Sequence, residues 1–363
     1  MKEPIKVLYV SNIAKIAAGA SRSIFSLISN LDKEKVQPFF ASIYQDELAK
    51  EIMQLGVVFH KLKTGYLLHP LLSIASFSGL VDFIKEYSID LIHNNQCGDA
   101  YYSWLPAKFT QTPLIIHHRD PSFYKSSKFL MNRAQANIAI SSWQNEHNLN
   151  NKGVVIHNSI ELDKYSMENK SKRLISYNGN LKVGLLGRLA PYKGQDVFIK
   201  AAALVLKQAP DVKFFIIGDD QNSSYKGYID SLKSLVSELG LQDDVIFTGY
   251  VPGGWEILPE LDISVVPSRV EPFGRVIIES MACGKPVIAT NVWGALDIVT
   301  PETGILVAPG DPEALAEAMM KLINSPEKRL SMGIAGRRRA EEFFSVDLMM
   351  NRIYTLYYDV LSR

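Results

Sequence analysis

The chain has 363 residues, 47% of them hydrophobic and 21% charged, with a formal net charge of +1. That length suits about two globular domains with real cores, and the near-neutral balance lacks the basic footprint of a nucleic-acid binder. The only two cysteines, Cys97 and Cys283, stand in no metal or redox spacing and read as small buried hydrophobes in a reducing compartment.

The opening segment, MKEPIKVLYVSN, has an acid and a proline where a secretion signal needs a basic patch and then an apolar run. The greasiest stretch, residues 71–84, is too short and too polar to span a bilayer. A soluble, cytoplasmic protein is expected. Strand-like runs follow in the order KVLYVS, FFASIY, DLIHNN, PLIIHH, NIAIS and VVIHN. Residues 67–84 set many apolar side chains near Lys61, Lys63 and Lys85. That pattern suits a buried helix with solvated lysines, or else a peripheral contact with a membrane surface.

Residues 161–180, ELDKYSMENKSKRLISYNGN, are polar and poor in packing side chains, as in a linker. Beyond them come KVGLLG, KFFIIG, DVIFTGY, DISVVPS, KPVIAT and GILVAP, interleaved with helical patterns such as QDVFIKAAALVLKQ and YIDSLKSLVSELG. Near-continuous apolar strands alternating with helices predict parallel sheets covered on both faces. An amphipathic helix, Leu348 to Leu361, closes the chain. The expected architecture is α/β: two doubly wound domains, 1–170 and 171–347, with the helix 348–363 packing back on the first. Ligands of such sheets bind beyond the carboxyl ends of the strands, so a site in the cleft between the domains is expected.

The stretch EPFGRVIIESMACG places Glu271 just before Pro-Phe-Gly and Glu279 on the body of a short apolar helix. The loop and first turn offer unpaired backbone N–H groups at the positive end of that helix, which suits an anion. Gly274 lets a ligand approach the backbone. A carboxylate on the helix body cannot help hold a phosphate, but it can accept hydrogen bonds from two neighbouring hydroxyls, such as those of a ribose. The other reading is a solvated ion pair between Arg275 and Glu279, four residues apart. GLLGRLAPYKGQD adds Arg188 and Lys193 beyond the end of another strand, either as diphosphate ligands or as solvated loop cations. Both motifs on one sheet edge describe a nucleotide-sugar site.

The stretches GRLAPYKG, FTGYV, EPFGRVIIESMACGKPVIA and GILVAPGDPEAL resemble the large retaining glycosyltransferase family 4, of GT-B fold, across nearly the whole second half. The resemblance implies a nucleoside-diphosphate-sugar donor, with Glu271 near the sugar and Glu279 on the ribose. Arg188 and Lys193 would hold the diphosphate, the amides around Phe273, Gly274, Arg275 and Val276 the sugar and phosphate, and the loop at Val251 the base. Gly-Asp-Asp at 218–220 would border the base rather than bind a metal, and no metal or other cofactor is expected. In the first half, AAGASRS resembles the family's glycine loop beneath the reacting centre, with Ala18, Gly19 and Ser21 where two glycines, a small residue and an acid are usual. Gly19 would lie in that loop or simply form a turn.

Many relatives place a histidine at the position of HHRD, where His117, His118 and Arg119 compete. Strand alternation sends His117 and His118 to opposite faces, and Arg119 would alternatively supply charge near the leaving group. His93 reads as structural. Retention by two displacements needs a carboxylate below the ring. Asp99 and Asp120 sit in no recognisable motif, so the resemblance implies same-face attack, with the departing phosphate taking the acceptor proton. The expected activity is transfer of a hexose, glucose by preference, from a UDP-linked donor to a saccharide or lipid-linked saccharide in surface polysaccharide synthesis. A non-catalytic nucleotide-sugar-binding partner and a nucleotide-sugar 2-epimerase are the alternatives. A dinucleotide dehydrogenase is disfavoured because no strand precedes Gly-x-Gly-x-x-Gly.

Overall fold

A computed structural model describes residues 3–12, 19–63, 70–119, 125–165, 181–220, 225–251 and 253–362. The chain forms two compact units, Met1–Asn158 with Val346–Arg363, and Ser159–Ser345. The division thus falls at 158/159 rather than at 170. The expected linker begins as a short 3₁₀ turn, Leu162–Tyr165, whose Tyr165 is buried within the second unit. Its remainder, 166–180, lies outside the described residues, as do Ala18 and Asp120.

In the first unit, strands β1 (Ile5–Val10), β2 (Val36–Ser42), β3 (Val58–Lys61), β4 (Leu91–Asn94), β5 (Leu114–His118), β6 (Ala136–Ala139) and β7 (Val154–Val155) form one parallel sheet. Their order is β3-β2-β1-β4-β5-β6-β7, so the winding reverses between β1 and β4. Strand β3 was not expected from the sequence: VFHK is short, and two of its four side chains are exposed. The helix Val346–Leu361 buries Met349, Met350, Ile353, Tyr357 and Val360 in one cluster with Val7, Tyr9, Ile24 and Leu27 of this unit's core. Its Tyr354 hydroxyl accepts a hydrogen bond from the Asp32 amide at 2.7 Å. The helix therefore belongs structurally to the first unit, although it ends the chain.

The second unit carries β8 (Lys182–Leu186), β9 (Lys213–Ile217), β10 (Val245–Gly249), β11 (Ile263–Val266), β12 (Val287–Thr290) and β13 (Gly304–Val307), ordered β10-β9-β8-β11-β12-β13. All pairs are parallel, and the winding reverses between β8 and β11. Strand residues such as Val183, Phe214, Ile216, Ile263 and Val265 are fully buried under the helices Gln195–Leu206 and Pro312–Ile323. That burial explains why these strands read as apolar runs rather than alternating patterns.

Among the described residues, no helix is long and apolar enough to cross a membrane. In the helix Pro70–Glu86, Leu80, Val81, Phe83 and Ile84 are buried, which matches the buried-helix reading over that stretch. Residues 67–69 of the proposed membrane-contact segment lie outside the described residues.

Candidate functional site

The second unit gathers most of the sequence motifs at the carboxyl ends of β8 and β11, where its winding reverses. That is the place where sheets of this kind hold ligands. Beyond β8, Pro191–Lys193 makes a single 3₁₀ turn, and Gly194 caps the helix Gln195–Leu206 with φ +74°. Only glycine takes that angle without strain. Gly194 also abuts the Pro267 carbonyl so closely that an added Cβ would run into its oxygen. Gly194→Ala is therefore expected to cost about 2 kcal/mol or more, read as a lower unfolding midpoint in denaturant.

The two loops are stitched together. Arg269 donates to both Asp196 carboxylate oxygens at 2.9 and 2.7 Å and to the Pro191 carbonyl at 2.7 Å, and its own amide donates to the Tyr192 carbonyl at 2.7 Å. This fork pulls the Asp196 carboxyl below its usual range despite partial burial. The result holds Lys193 against Glu271: Nζ lies 2.6 Å from Oε2, which also accepts from Ser268 Oγ at 3.1 Å. Ser268 is fixed in turn by Thr290, whose hydroxyl donates to its carbonyl at 2.5 Å. Sequence reading missed both Ser268 and Thr290. Each is a small hydroxyl in an apolar strand context, with no motif to mark it. Arg188 is exposed, and its Nη2 donates to the Tyr192 hydroxyl at 2.6 Å.

Gly274, at φ +104°, starts the helix Arg275–Ala282. Phe273 is buried edge-on against Phe344, while Val276 is half-buried on the first turn. Glu279 is not the solvated surface carboxylate of the simpler reading, being only 4% exposed. It does pair with Arg275, at 3.4 Å, and Arg275 also reaches the Ser159 carbonyl at 3.2 Å. The Tyr165 hydroxyl is the other partner of Glu279; burial, then the charge of that carboxylate, pushes the phenol far up. Burying a carboxylate costs several kcal/mol unless it is paired, and Arg275 together with the Tyr165 hydroxyl supplies that pairing. Val251 follows β10, half-buried beside the exposed Tyr250. In Gly-Asp-Asp, Gly218 (φ +129°) packs on Gly187, and the Asp220 carboxylate accepts from the Tyr225 amide at 2.7 Å.

The first unit places a buried polar cluster at the ends of β1, β4 and β5. His117 and His118 do point to opposite faces of β5. His118 Nε2 lies 2.9 Å from Asn137 Oδ1, away from the cluster. His117 Nδ1 lies 3.1 Å from Arg119 Nη2 and 3.2 Å from His93 Nε2, and His93 Nδ1 lies 2.6 Å from the Tyr357 hydroxyl. The Tyr357 hydroxyl donates to the Tyr9 hydroxyl at 3.0 Å. Arg119 also donates to Asn95 Oδ1, at 2.7 Å, and to Asn158 Oδ1. Burial holds His93 down to about 3 and His118 down to about 4, and burial with the Arg119 charge holds His117 well below its usual range. Gly19 begins the helix Gly19–Ser29, and an added Cβ there would meet nothing within 4 Å. The neighbouring Ala20 carbonyl accepts from Asn95 Nδ2 at 3.3 Å, which ties this helix start to the cluster.

Residues 166–339 match the family model described as "Glycosyl transferases group 1", and residues 17–164 match "Glycosyltransferase Family 4". Among curated relatives, the chain is 31% identical over 228 residues to the capsular polysaccharide biosynthesis glycosyltransferase CapM of Staphylococcus aureus, covering 61% of this chain and 58% of that one. It is 35% identical over 175 residues to a GDP-mannose-dependent phosphatidylinositol monomannoside mannosyltransferase of Corynebacterium glutamicum, covering 46% and 44%. The chain thus spans about half the length of these two relatives. Among solved structures, Anabaena HepE in complex with UDP and glucose has a TM-score of 0.84 at 23% identity, over 97% of this chain and 99% of that one. A glycosyltransferase from Rickettsia africae reaches 0.89 at 22% identity, over 99% of both chains.

Proposed function

The chain belongs to glycosyltransferase family 4 and has the two-domain GT-B fold, and from that premise we propose that it transfers a hexose from a nucleoside-diphosphate sugar to a hydroxyl of a saccharide or glycolipid acceptor. The observation that carries this reading is the Lys193–Glu271 pair at 2.6 Å, placed where the second sheet reverses, with the buried Glu279 on the helix that follows. A cation, an anion-binding helix start and two carboxylates form a site for phosphates flanked by hydroxyls.

The donor is a UDP-sugar, glucose by preference, in keeping with the UDP and glucose bound to Anabaena HepE. The acceptor belongs to surface polysaccharide or glycolipid synthesis, capsular polysaccharide biosynthesis being the role named for CapM. Glu271 accepts from hydroxyls of the transferred sugar, and Glu279 accepts from the ribose. Lys193, Arg188 and the amides at Gly274 to Val276 take the charge that develops on the departing diphosphate, the task a metal ion performs elsewhere. The reaction proceeds with retention and without a metal, the leaving phosphate oxygen accepting the acceptor's proton. The protein's work is then positioning and charge stabilisation. A peripheral membrane contact would bring a lipid-linked acceptor within reach.

Calorimetric titration without metal, using UDP, GDP and their glucose, mannose and N-acetylglucosamine conjugates, tests the donor site. One nucleotide series is expected to bind, and Glu279→Ala to weaken it by about tenfold, the worth of one good charged hydrogen bond. Failure of every ligand to bind would sink the reading. Slow donor hydrolysis without acceptor separates a transferase from a pure binder, which shows none.

A further inference from the structure

Along the helix Ala100–Thr110 of the first unit, Ala100, Ser103, Pro106 and Ala107 are buried. The opposite side shows Tyr101 at 41% exposure, Leu105 at 40% and Phe109 at 62%, with the exposed Lys108 among them. Spacings of three and four residues set these on one stripe. Both flanks widen it. On one, Phe109 packs edge-on against Phe77 at 5.8 Å, and Lys85 Nζ lies 5.2 Å from the centre of the Phe109 ring. On the other, Phe129, 45% exposed, stands edge-on to Trp104 at 5.0 Å, and the Arg133 guanidinium lies over the Phe129 ring. The exposed Lys128 adds a fourth cation. Residues 100–110 and 125–133 contain no Asp or Glu. On the helix Pro70–Glu86 the acids turn elsewhere, since Glu86 acts on the His60 imidazole and Asp82 stands one turn before it.

We propose that this aromatic and basic face docks the protein on an anionic lipid surface, with the rings in the headgroup region and the cations on lipid phosphates. The docking deepens the peripheral contact named above. It rests on the transferase reading only for its use, which is reach to a lipid-linked acceptor. It also moves that contact one helix along from residues 67–84, where Leu80, Val81, Phe83 and Ile84 are buried. Clustered exposed apolar side chains on a soluble domain mark an interaction surface, and rings with basic neighbours suit the interface of a bilayer. Each Lys or Arg close to an anionic leaflet strengthens binding about fivefold. Two other occupants fit less well. A second copy joined by a twofold axis would set the patch against itself and oppose cation to cation. A single-stranded nucleic acid stacks bases on open ring faces, but Arg133 covers Phe129 and Lys85 lies over Phe109.

Co-sedimentation of the full chain with vesicles tests this, using phosphatidylcholine alone and phosphatidylcholine mixed with phosphatidylglycerol. Binding is expected to the mixed vesicles only, and to weaken as salt screens the cations. Lys85→Gln with Lys108→Gln is expected to weaken it about twentyfold or more, and Leu105→Ser with Phe109→Ser about tenfold. All four side chains are exposed, so both variants are expected to keep the parent's unfolding temperature, measured alongside. Leu330→Ser with Ile334→Ser, an exposed apolar pair of the second unit, is expected to change nothing. Absence of binding to the mixed vesicles, or binding that either face variant leaves intact, would overturn the proposal. So would self-association that the same substitutions abolish, or tight binding of a single-stranded oligonucleotide in place of vesicles. The readout needs no donor, so a failed donor titration would defeat the transferase reading and leave lipid docking to stand or fall by itself.

Discussion

Glu271→Gln is expected to lower transfer by about a hundredfold or more while leaving UDP affinity undiminished. The split follows from the pairing in which Glu271 Oε2 holds Lys193 Nζ at 2.6 Å. Removing the carboxylate's charge takes a hydroxyl acceptor from the sugar, and losses of preorganised polar contacts at a reacting centre cost about 10²- to 10³-fold. It also releases Lys193 from an ion pair that a diphosphate would otherwise have to displace, so nucleotide binding holds steady or tightens. Steady-state kinetics beside calorimetry with UDP makes the comparison. Loss of UDP binding in step with activity would mean that Glu271 only props the loop. Lys193→Ala should show the opposite pattern, with weakened UDP binding first.

Between pH 7 and pH 5 the first unit is expected to lose about 5 kcal/mol of stability. His93, His117 and His118 are buried, and the fold keeps all three neutral, two of them with values pushed down to about 3 and about 4. An unfolded chain protonates them near 6.5. Unfolding therefore takes up protons once the pH drops below 6.5. Each imidazole removes about 1.4 kcal/mol per pH unit from there down to its folded value. Above pH 6.5 their full contribution is present. Hydrogen exchange at β1, β4 and β5 against pH reads this directly, and a flat profile from pH 7 to 5 would show that the rings are not held neutral.

The second unit was the more legible half because its chemistry is local. Arg188 and Lys193 lie in one loop, Glu271 and Glu279 in another, and each loop follows a strand whose apolar run announces it. The sequence could not show that the loops are joined through Arg269 and Asp196, 73 residues apart, nor that Glu279 is buried against Tyr165. In the first unit, alternation along β5 correctly separated His117 from His118. Their partners were beyond reach, since His93 finds Tyr357 across a separation of 264 residues and Arg119 finds Asn158 across 39. Polar side chains contributed singly by distant elements leave no periodic trace. His93, read as structural, lies buried between Tyr357 and His117.

The return of Val346–Leu361 to the first unit also sets an order of events during synthesis. The ribosome delivers β1 to β7 first, yet their core lacks Met349, Ile353 and Tyr357 until the second unit has been translated in full. The second unit has all its strands in one uninterrupted stretch and can close its own core beforehand. The nascent first sheet must wait with an open apolar face, and Tyr357, the residue that seats His93, arrives with the same helix that covers it. A chain cut short before that helix would leave both the core and the histidine cluster unfinished and open to proteolysis.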